Sequence, residues 1–274
     1  MQVPIAVFKS KSREGFVLID GERRWRCASK LNFKTIPALV QDEPDPLQNL
    51  LLMFNIHALR EQWDLLTIAL KLPKIIGLLE RELNAKPTES DISIHTGLAR
   101  GVIRKCRLLT RLPDKYKHIL LDELKKPKSK QLVGEEFFIE MEKALNAVAR
   151  NLPGVLGDLD LARDVLLKKY RANIIESNIE FRKIAKIARA KHVGADQDAA
   201  GSAIRRLLAD PGYSVTQAWA DSVSEAYAER DIVSRIDLLL GRLHDMKPEE
   251  VDDDIREKLE ELVRRANLIL ETGE

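Results

Sequence analysis

Apolar and polar positions alternate over residues 3–8, and a short apolar run follows at 16–19. The polar stretch between them makes the pair read as a strand hairpin. Asp20-Gly21 is a turn signal, and residues 22–31 have the length and spacing of a helix, so the chain is expected to turn sharply from strand into helix at Gly21. Trp25 and Leu31 are expected to pack that helix back against the strand. Residues 41–48, with Pro44 and Pro46 among acids, read as a linker. From there the period is helical. Residues 50–72 predict one helix, Pro73 an interruption, and 74–84 the start of another.

The segment 86–113, KPTESDISIHTGLARGVIRKCRLLTRLP, carries the most position-specific pattern. Thr88 is placed as an N-cap with acids in the next turn. A helix through His95 puts Ile92 inward and small Ser93 where a second helix comes close. Gly97 supplies the turn, Leu98 plugs the angle, and Ile103 and Cys106 face the core from the second helix. These positions fit a helix-turn-helix, which leaves Ala99, Arg100, Gly101, Arg104 and Lys105 on the outer face. Beyond Pro113 a short helix is expected at 115–124, a basic loop at 125–130 broken by Pro127, and a helix at 135–151. Tyr116, Lys117 and the loop, with Lys126 and Lys128, are placed as backbone-phosphate contacts.

Residues 178–190 predict an amphipathic helix whose basic face is Arg182, Lys183, Lys186 and Arg189. Long helices follow after Pro211-Gly212, with Ile232, Ile236, Leu239, Leu240 and Leu243 on one face. A second stripe is Ile255, Leu259, Leu262, Val263, Ala266 and Ile269. A hairpin this apolar needs a partner surface, either elsewhere in the chain or on a second copy.

The chemistry expected at the Gly21 turn is anion binding. The first N–H groups of a helix have no intrahelical partner and the helix dipole adds positive charge there. Arg23 and Arg24 in that turn bring paired donors suited to phosphate oxygens, although an arginine pair at a helix start is also a common solvated feature.

Composition narrows the picture further. The 274 residues are long enough for two or three compact units, and the high charge with few aromatics suits a mostly helical protein. The net charge of +2 gives no bulk attraction to nucleic acid, but residues 100–130 hold eleven Lys or Arg against three acids. That local field suits a polyanion or a solvated helix face. Cys27 and Cys106 form no CxxC pair and are expected to be reduced core thiols. No apolar run is long enough to span a bilayer, and no signal-peptide pattern is visible, so a cytoplasmic protein is expected.

The string GERRWRCASKLNFKTIPALV, within residues 15–38 and their continuation, resembles the GERR(Y/W)RA box of ParB-type chromosome and plasmid partition proteins, trailing strand included. The closing LLxLP pattern, here Leu108, Leu109, Leu112 and Pro113, is also similar to that family's. The resemblance implies that Gly21, Glu22, Arg23 and Arg24 hold the triphosphate of CTP with Mg2+. FNIHALREQWDLLTIAL resembles the family's third box, which places Asn55 and Arg60 near the same nucleotide. Phe54 stands where the family has an acid tied to turnover, so hydrolysis is expected to be weak or absent. Members carry a further strand and an arginine-containing box upstream. Here Met1 falls almost on the hairpin, so the domain is expected to be a truncated form or to begin elsewhere.

The fold expected is α+β and mostly helical. It comprises a small truncated ParB/sulfiredoxin-like domain at 1–48, a helical helix-turn-helix domain at 49–153, and a helical region at 154–274 that includes a dimerisation surface. The expected function is sequence-specific binding of double-stranded DNA in plasmid, phage or chromosome partition, with CTP regulation, a homodimer and a partner partition ATPase, in a nucleoid-associated and membrane-free setting. Two alternatives stay open: a transcriptional regulator without nucleotide, and a sulfiredoxin- or kinase-like phosphotransferase.

Overall fold

The computed structural model describes residues 3–11, 14–57, 63–247 and 251–271. The protein is α+β and mostly helical, and it forms two compact units: residues 1–146 with 159–182, and 147–158 with 183–274.

In the first unit, β1 (Ile5–Lys9) is the central strand of a three-stranded sheet. β2 (Phe16–Asp20) pairs with it antiparallel, Val7 opposite Leu18, and β3 (Ala38–Gln41) pairs parallel, Ile5 opposite Ala38. Ile5, Val7, Phe8 and Ile19 are buried. Helix α1 (Glu22–Lys30) buries only Ala28. The expectation for Trp25 and Leu31 is therefore corrected, since they are 48% and 66% exposed. A small residue at the contact point lets α1 approach closely. Trp25 is left on the rim of an open apolar cleft of about 640 Å³, with Phe16, Leu18, Phe33 and Val40. Cys27, one position from Ala28 and turned off the contact, is exposed rather than a core thiol.

The single helix expected over 50–72 is also corrected. α2 (Pro46–His57) and α3 (Leu65–Leu83) are separate, and Asp64 caps α3 by accepting the Thr67 N–H at 2.6 Å. Capping by a local carboxylate competes with continued helix, which hydrophobic spacing alone does not register. Pro73, read as an interruption, lies inside α3. Its missing N–H would strand the Ala69 carbonyl. Thr110 Oγ lies 3.0 Å from that carbonyl and 2.8 Å from its own Cys106 carbonyl, so its proton serves both.

α5 (Arg100–Arg111) packs against α3 and α4 (Glu89–Thr96) against α5 and α2, and Leu66, Ile75, Leu79, Ile92, Ile103 and Leu109 are all fully buried. Cys106 is buried there, and desolvation, with the Glu135 charge second, pushes its thiol up to about 12. α6 (Asp114–Leu124), α7 (Glu135–Asn151) and α8 (Leu159–Arg171) follow. Phe137, Phe138 and Phe181 make edge contacts at 5.1 and 5.3 Å. Arg163 forks onto buried Glu142, Nε to Oε1 at 2.6 Å and a terminal nitrogen to Oε2 at 2.9 Å.

The helix expected over 178–190 is corrected. Asn178–Glu180 and Ala190–Val193 are single 3-10 turns, and only α9 (Phe181–Ile187) is α-helical. Ala188 and Ala190 are both buried, a spacing that an α-helix does not place on one face, so the backbone tightens after Ile187. The Lys186 and His192 carbonyls accept from Tyr227 O–H at 3.2 Å and Arg230 at 2.6 Å. α10 (Gln197–Ala209) and α11 (Val215–Ala220) supply Ile204, Leu207, Val215 and Ala218 to the core. α12 (Ser224–Asp245) and α13 (Asp253–Glu271) have no buried residues.

Candidate functional site

Two clusters of sequence-predicted residues come together in the first unit. At the α4–α5 corner, Thr88 and Asp91 cap each other: Thr88 Oγ accepts the Asp91 N–H at 3.2 Å and Asp91 Oδ2 accepts the Thr88 N–H at 2.8 Å. The Thr88 hydroxyl, which donates to Asp91 Oδ2 at 2.7 Å, and then the Thr88 N–H hold the half-buried Asp91 carboxyl below its usual range. Gly97 turns the chain at φ 71°, and Ser93 Oγ donates to the Leu98 carbonyl at 2.7 Å, tying the first helix to the turn. Buried Thr96, which sequence reasoning missed, donates to the Ile92 carbonyl at 2.6 Å and accepts the Leu98 N–H at 3.3 Å. Ala99 precedes α5, whose first turn holds no acid, and Ala99, Arg100, Gly101 and Arg104 are exposed. Nothing lies within 4 Å of a Cβ built on Gly101, so the backbone there is open.

The bases on α5 have partners that sequence reasoning missed. Arg104 Nε donates to Glu89 at 2.9 Å, Arg107 donates to the other Glu89 oxygen at 3.2 Å, and Arg100 reaches Ser90 Oγ at 3.0 Å. Lys105 pairs with Glu136 of α7. Glu89 is legible in retrospect, as an acid in the first turn of one helix facing a basic helix. Glu136, 31 residues from Lys105, gives no local signal.

Of the residues placed as phosphate contacts, Lys128 is exposed. Lys126 donates to buried Glu123 at 2.7 Å. Burial alone would raise Glu123, but bonds from Lys126 and from the Leu132 N–H outweigh it, and the net shift is downward. Lys117 pairs with Asp114 at 3.1 Å. Tyr116 is corrected: it is fully buried, its hydroxyl 2.9 Å from both the Asp160 carbonyl and Asp164 Oδ1. A ring at that position fills the α6–α8 contact and meets no backbone phosphate.

The second cluster is the β2–α1 turn. Gly21 has φ 97°, and a Cβ there would sit 2.7 Å from Ile5 Cγ2. Its N–H donates to Asp20 Oδ1 at 2.7 Å, so the chain's own carboxylate takes one amide of the expected anion site. Arg24 donates to the Val3 and Pro4 carbonyls at 3.0 and 2.5 Å and lies 3.4 Å from Asp20 Oδ2. Glu22 pairs with Arg26 at 2.6 Å, while Arg23 is exposed. A triphosphate is matched in part. Arg23 and the remaining first-turn amides fit it, whereas Arg24 and the Gly21 amide are engaged elsewhere. Asn55 belongs to α2, and Arg60 lies outside the described residues. Phe54 is fully buried, edge-on to Trp63 at 5.6 Å. Among the described residues no group of three metal-ligating side chains forms, and no helix is long and apolar enough to cross a membrane.

Comparison with known proteins agrees with the turn. Residues 1–55 match the family described as ParB N-terminal domain. Two curated proteins named Probable chromosome-partitioning protein ParB, one from Pseudomonas putida strain KT2440 and one from Pseudomonas putida, are each 30% identical over 139 residues. The match covers 50% of this chain and 45% of either relative, so the chain spans under half the length of the curated proteins it matches. A solved structure, the C-terminally truncated chromosome-partitioning protein ParB from Caulobacter crescentus complexed to the centromeric parS site, is similar at TM-score 0.42 and 21% identity. That similarity covers 68% of this chain and 82% of the other. The strand, the Gly21 turn and the GERR helix thus lie in a ParB N-terminal-like domain, and over half its length the chain is similar to chromosome-partitioning proteins.

Proposed function

We propose that the protein binds double-stranded DNA sequence-specifically in partition of a chromosome, plasmid or phage genome, as a nucleoid-associated homodimer. The observation that carries this reading is the α4–α5 corner. Two helices meet there at a glycine turn with a buried inner face and Arg100, Gly101 and Arg104 on the outside, which supports reading it as a helix-turn-helix. The printed names of the curated relatives support it. In this reading α5 enters the major groove, Arg104 reads a base edge, and Lys126 and Lys128 position the protein on phosphates.

Arg104→Ala should weaken binding to a preferred duplex by about 1–3 kcal/mol and random duplex by much less. Lys126→Ala should weaken both alike. Fluorescence anisotropy over a salt series checks this, and salt-insensitive binding, or no duplex binding, would sink the reading.

CTP regulation with Mg2+ is part of the same proposal. It is supported by the match over 1–55 and by exposed Arg23. When bound, the triphosphate would lie on Arg23 and the first-turn amides of α1, and Arg24 would join it by leaving Asp20. Turnover is expected to be slow, because Phe54 brings no carboxylate. Calorimetry with CTP, ATP and GTP should show weak binding that an Arg23→Ala, Arg24→Ala double variant loses. Equal binding by wild type and variant rejects the site. The second reading, a DNA-binding regulator without nucleotide, is favoured by the Asp20 and backbone contacts that engage Arg24.

The homodimer is assigned to the C-terminal stripes. Ile232, Ile236 and Leu240 on α12 are 58%, 50% and 58% exposed, and Leu262, Val263 and Ile269 on α13 are 47%, 56% and 71% exposed. A second copy covering these stripes brings two α5 helices onto paired half-sites, and a partner partition ATPase belongs to the same function. Light scattering should report a dimer that Ile236→Glu with Leu240→Glu converts to monomer. A wild-type monomer at micromolar concentration would count against it.

A further inference from the structure

Arg100, Arg104 and Arg107 lie four and three residues apart, which places them on one stripe of α5. That stripe faces the first turn of α4, where Glu89 offers one carboxylate oxygen to each of Arg104 and Arg107. The Glu89 side chain is 28% exposed, Arg107 36% and Arg104 66%. Ion pairs this open contribute little to stability, so their effect is sought in geometry and field. The bond from Arg104 uses Nε–H, one of five donors on a rigid planar fork. With that donor held at 2.9 Å, the plane of the guanidinium is fixed relative to α4 while the terminal N–H groups keep their capacity for another acceptor. Bidentate recognition of guanine O6 and N7 needs such a paired donor edge in a defined orientation.

The same carboxylate also subtracts charge. Glu89 lies against two guanidinium groups, and on the other side of α5 Glu136 pairs with Lys105. Attraction to phosphate in general depends on net positive charge at the surface, whereas a base contact depends on placement of particular donors. A carboxylate in this position therefore works against the first and for the second.

We propose that Glu89 is a positioning residue for DNA recognition. It holds Arg104 with its terminal donors presented to a base edge, and it lowers the affinity of this face for phosphate, so that discrimination between sequences rises on both counts. The inference rests on the reading that α5 enters the major groove, and it adds a residue outside α5 as a determinant of specificity.

The experiment uses the full chain and two duplex probes: the site that wild type enriches from a randomised duplex pool, and the unselected pool itself. Glu89→Ala should lower affinity for the enriched site about tenfold and raise affinity for the unselected pool about threefold. Glu89→Gln keeps one acceptor oxygen without the charge. It should recover part of the affinity for the enriched site while keeping the gain on the unselected pool, and it serves alone if circular dichroism shows the alanine variant unfolded. In the uncomplexed chain, the Arg104 Nε–H resonance should exchange slowly in wild type and lose that protection in Glu89→Ala, a signature that does not depend on DNA. The inference falls, with the DNA reading intact, if wild type enriches a site and the variants change both affinities by one common factor or leave them unchanged. If wild type enriches no site, the DNA reading falls and takes the inference with it.

Discussion

Glu142→Ala is expected to lower stability by about 3–5 kcal/mol, the cost of stranding a buried charge. The Arg163 and Glu142 side chains are 8% and 7% exposed, joined by two parallel bonds of 2.6 and 2.9 Å. The Glu142 bonds, which outweigh desolvation, hold the guanidinium well above its ordinary pKa. Asp160 also accepts from Arg163 at 2.6 Å, but that carboxylate is 59% exposed and compensates less. Removing Glu142 therefore leaves a cation in the α7–α8 contact with only the exposed Asp160 carboxylate and the Tyr116 ring, its centroid 5.9 Å away, to offset it. Glu142→Leu combined with Arg163→Met removes both charges and should cost much less than either single change. Urea denaturation followed by circular dichroism measures the cycle. A loss under about 1 kcal/mol for Glu142→Ala would show that the pair is solvated more than its burial implies.

Gly21→Ala should cost about 2–4 kcal/mol, from left-handed strain and overlap together. Gly15 gives the control. Its φ of 103° is close to the 97° of Gly21, but nothing lies within 4 Å of its missing Cβ. Gly15→Ala therefore carries the strain alone, about 1 kcal/mol. The difference between the two isolates the approach of α1 to Ile5. Because the turn also sets the direction of the first-turn amides, Gly21→Ala should abolish whatever triphosphate binding calorimetry detects, whereas Gly15→Ala should preserve it. Equal costs for the two substitutions would mean that Ile5 moves aside freely.

The strand–turn–helix at 16–30 and the α4–α5 corner were legible because each combines a periodic apolar pattern with a residue that only one backbone conformation favours, Gly21 in one and Gly97 in the other. Helix boundaries set by side-chain capping were less legible. Asp64 caps the start of α3 without disturbing the apolar spacing. Pro73 looked like a break because the hydroxyl that satisfies the freed carbonyl belongs to Thr110, 37 residues on in the sequence. Trp25 shows a related limit: hydrophobicity suggests a preference for burial, while the size of a sheet of short strands decides how many large side chains it covers. At the candidate sites, Arg104 and Arg24 were found by residue type and position. Their partners Glu89, Asp20 and the Val3 and Pro4 carbonyls were not, because a basic residue near a helix start looks the same whether solvent or a neighbouring acid receives it.

The Thr110 bond also ties motion to sequence. A helix rises about 1.5 Å per residue, so sliding α5 along α3 by even that much would take the hydroxyl out of reach of the Ala69 carbonyl and leave an acceptor in the helix interface with no donor. Lengthwise creep between the two helices is thus disfavoured at one point, much as a pin fixes two bars. The position of α5 along α3 is held at that point, while α4 is joined to α5 through the Gly97 turn.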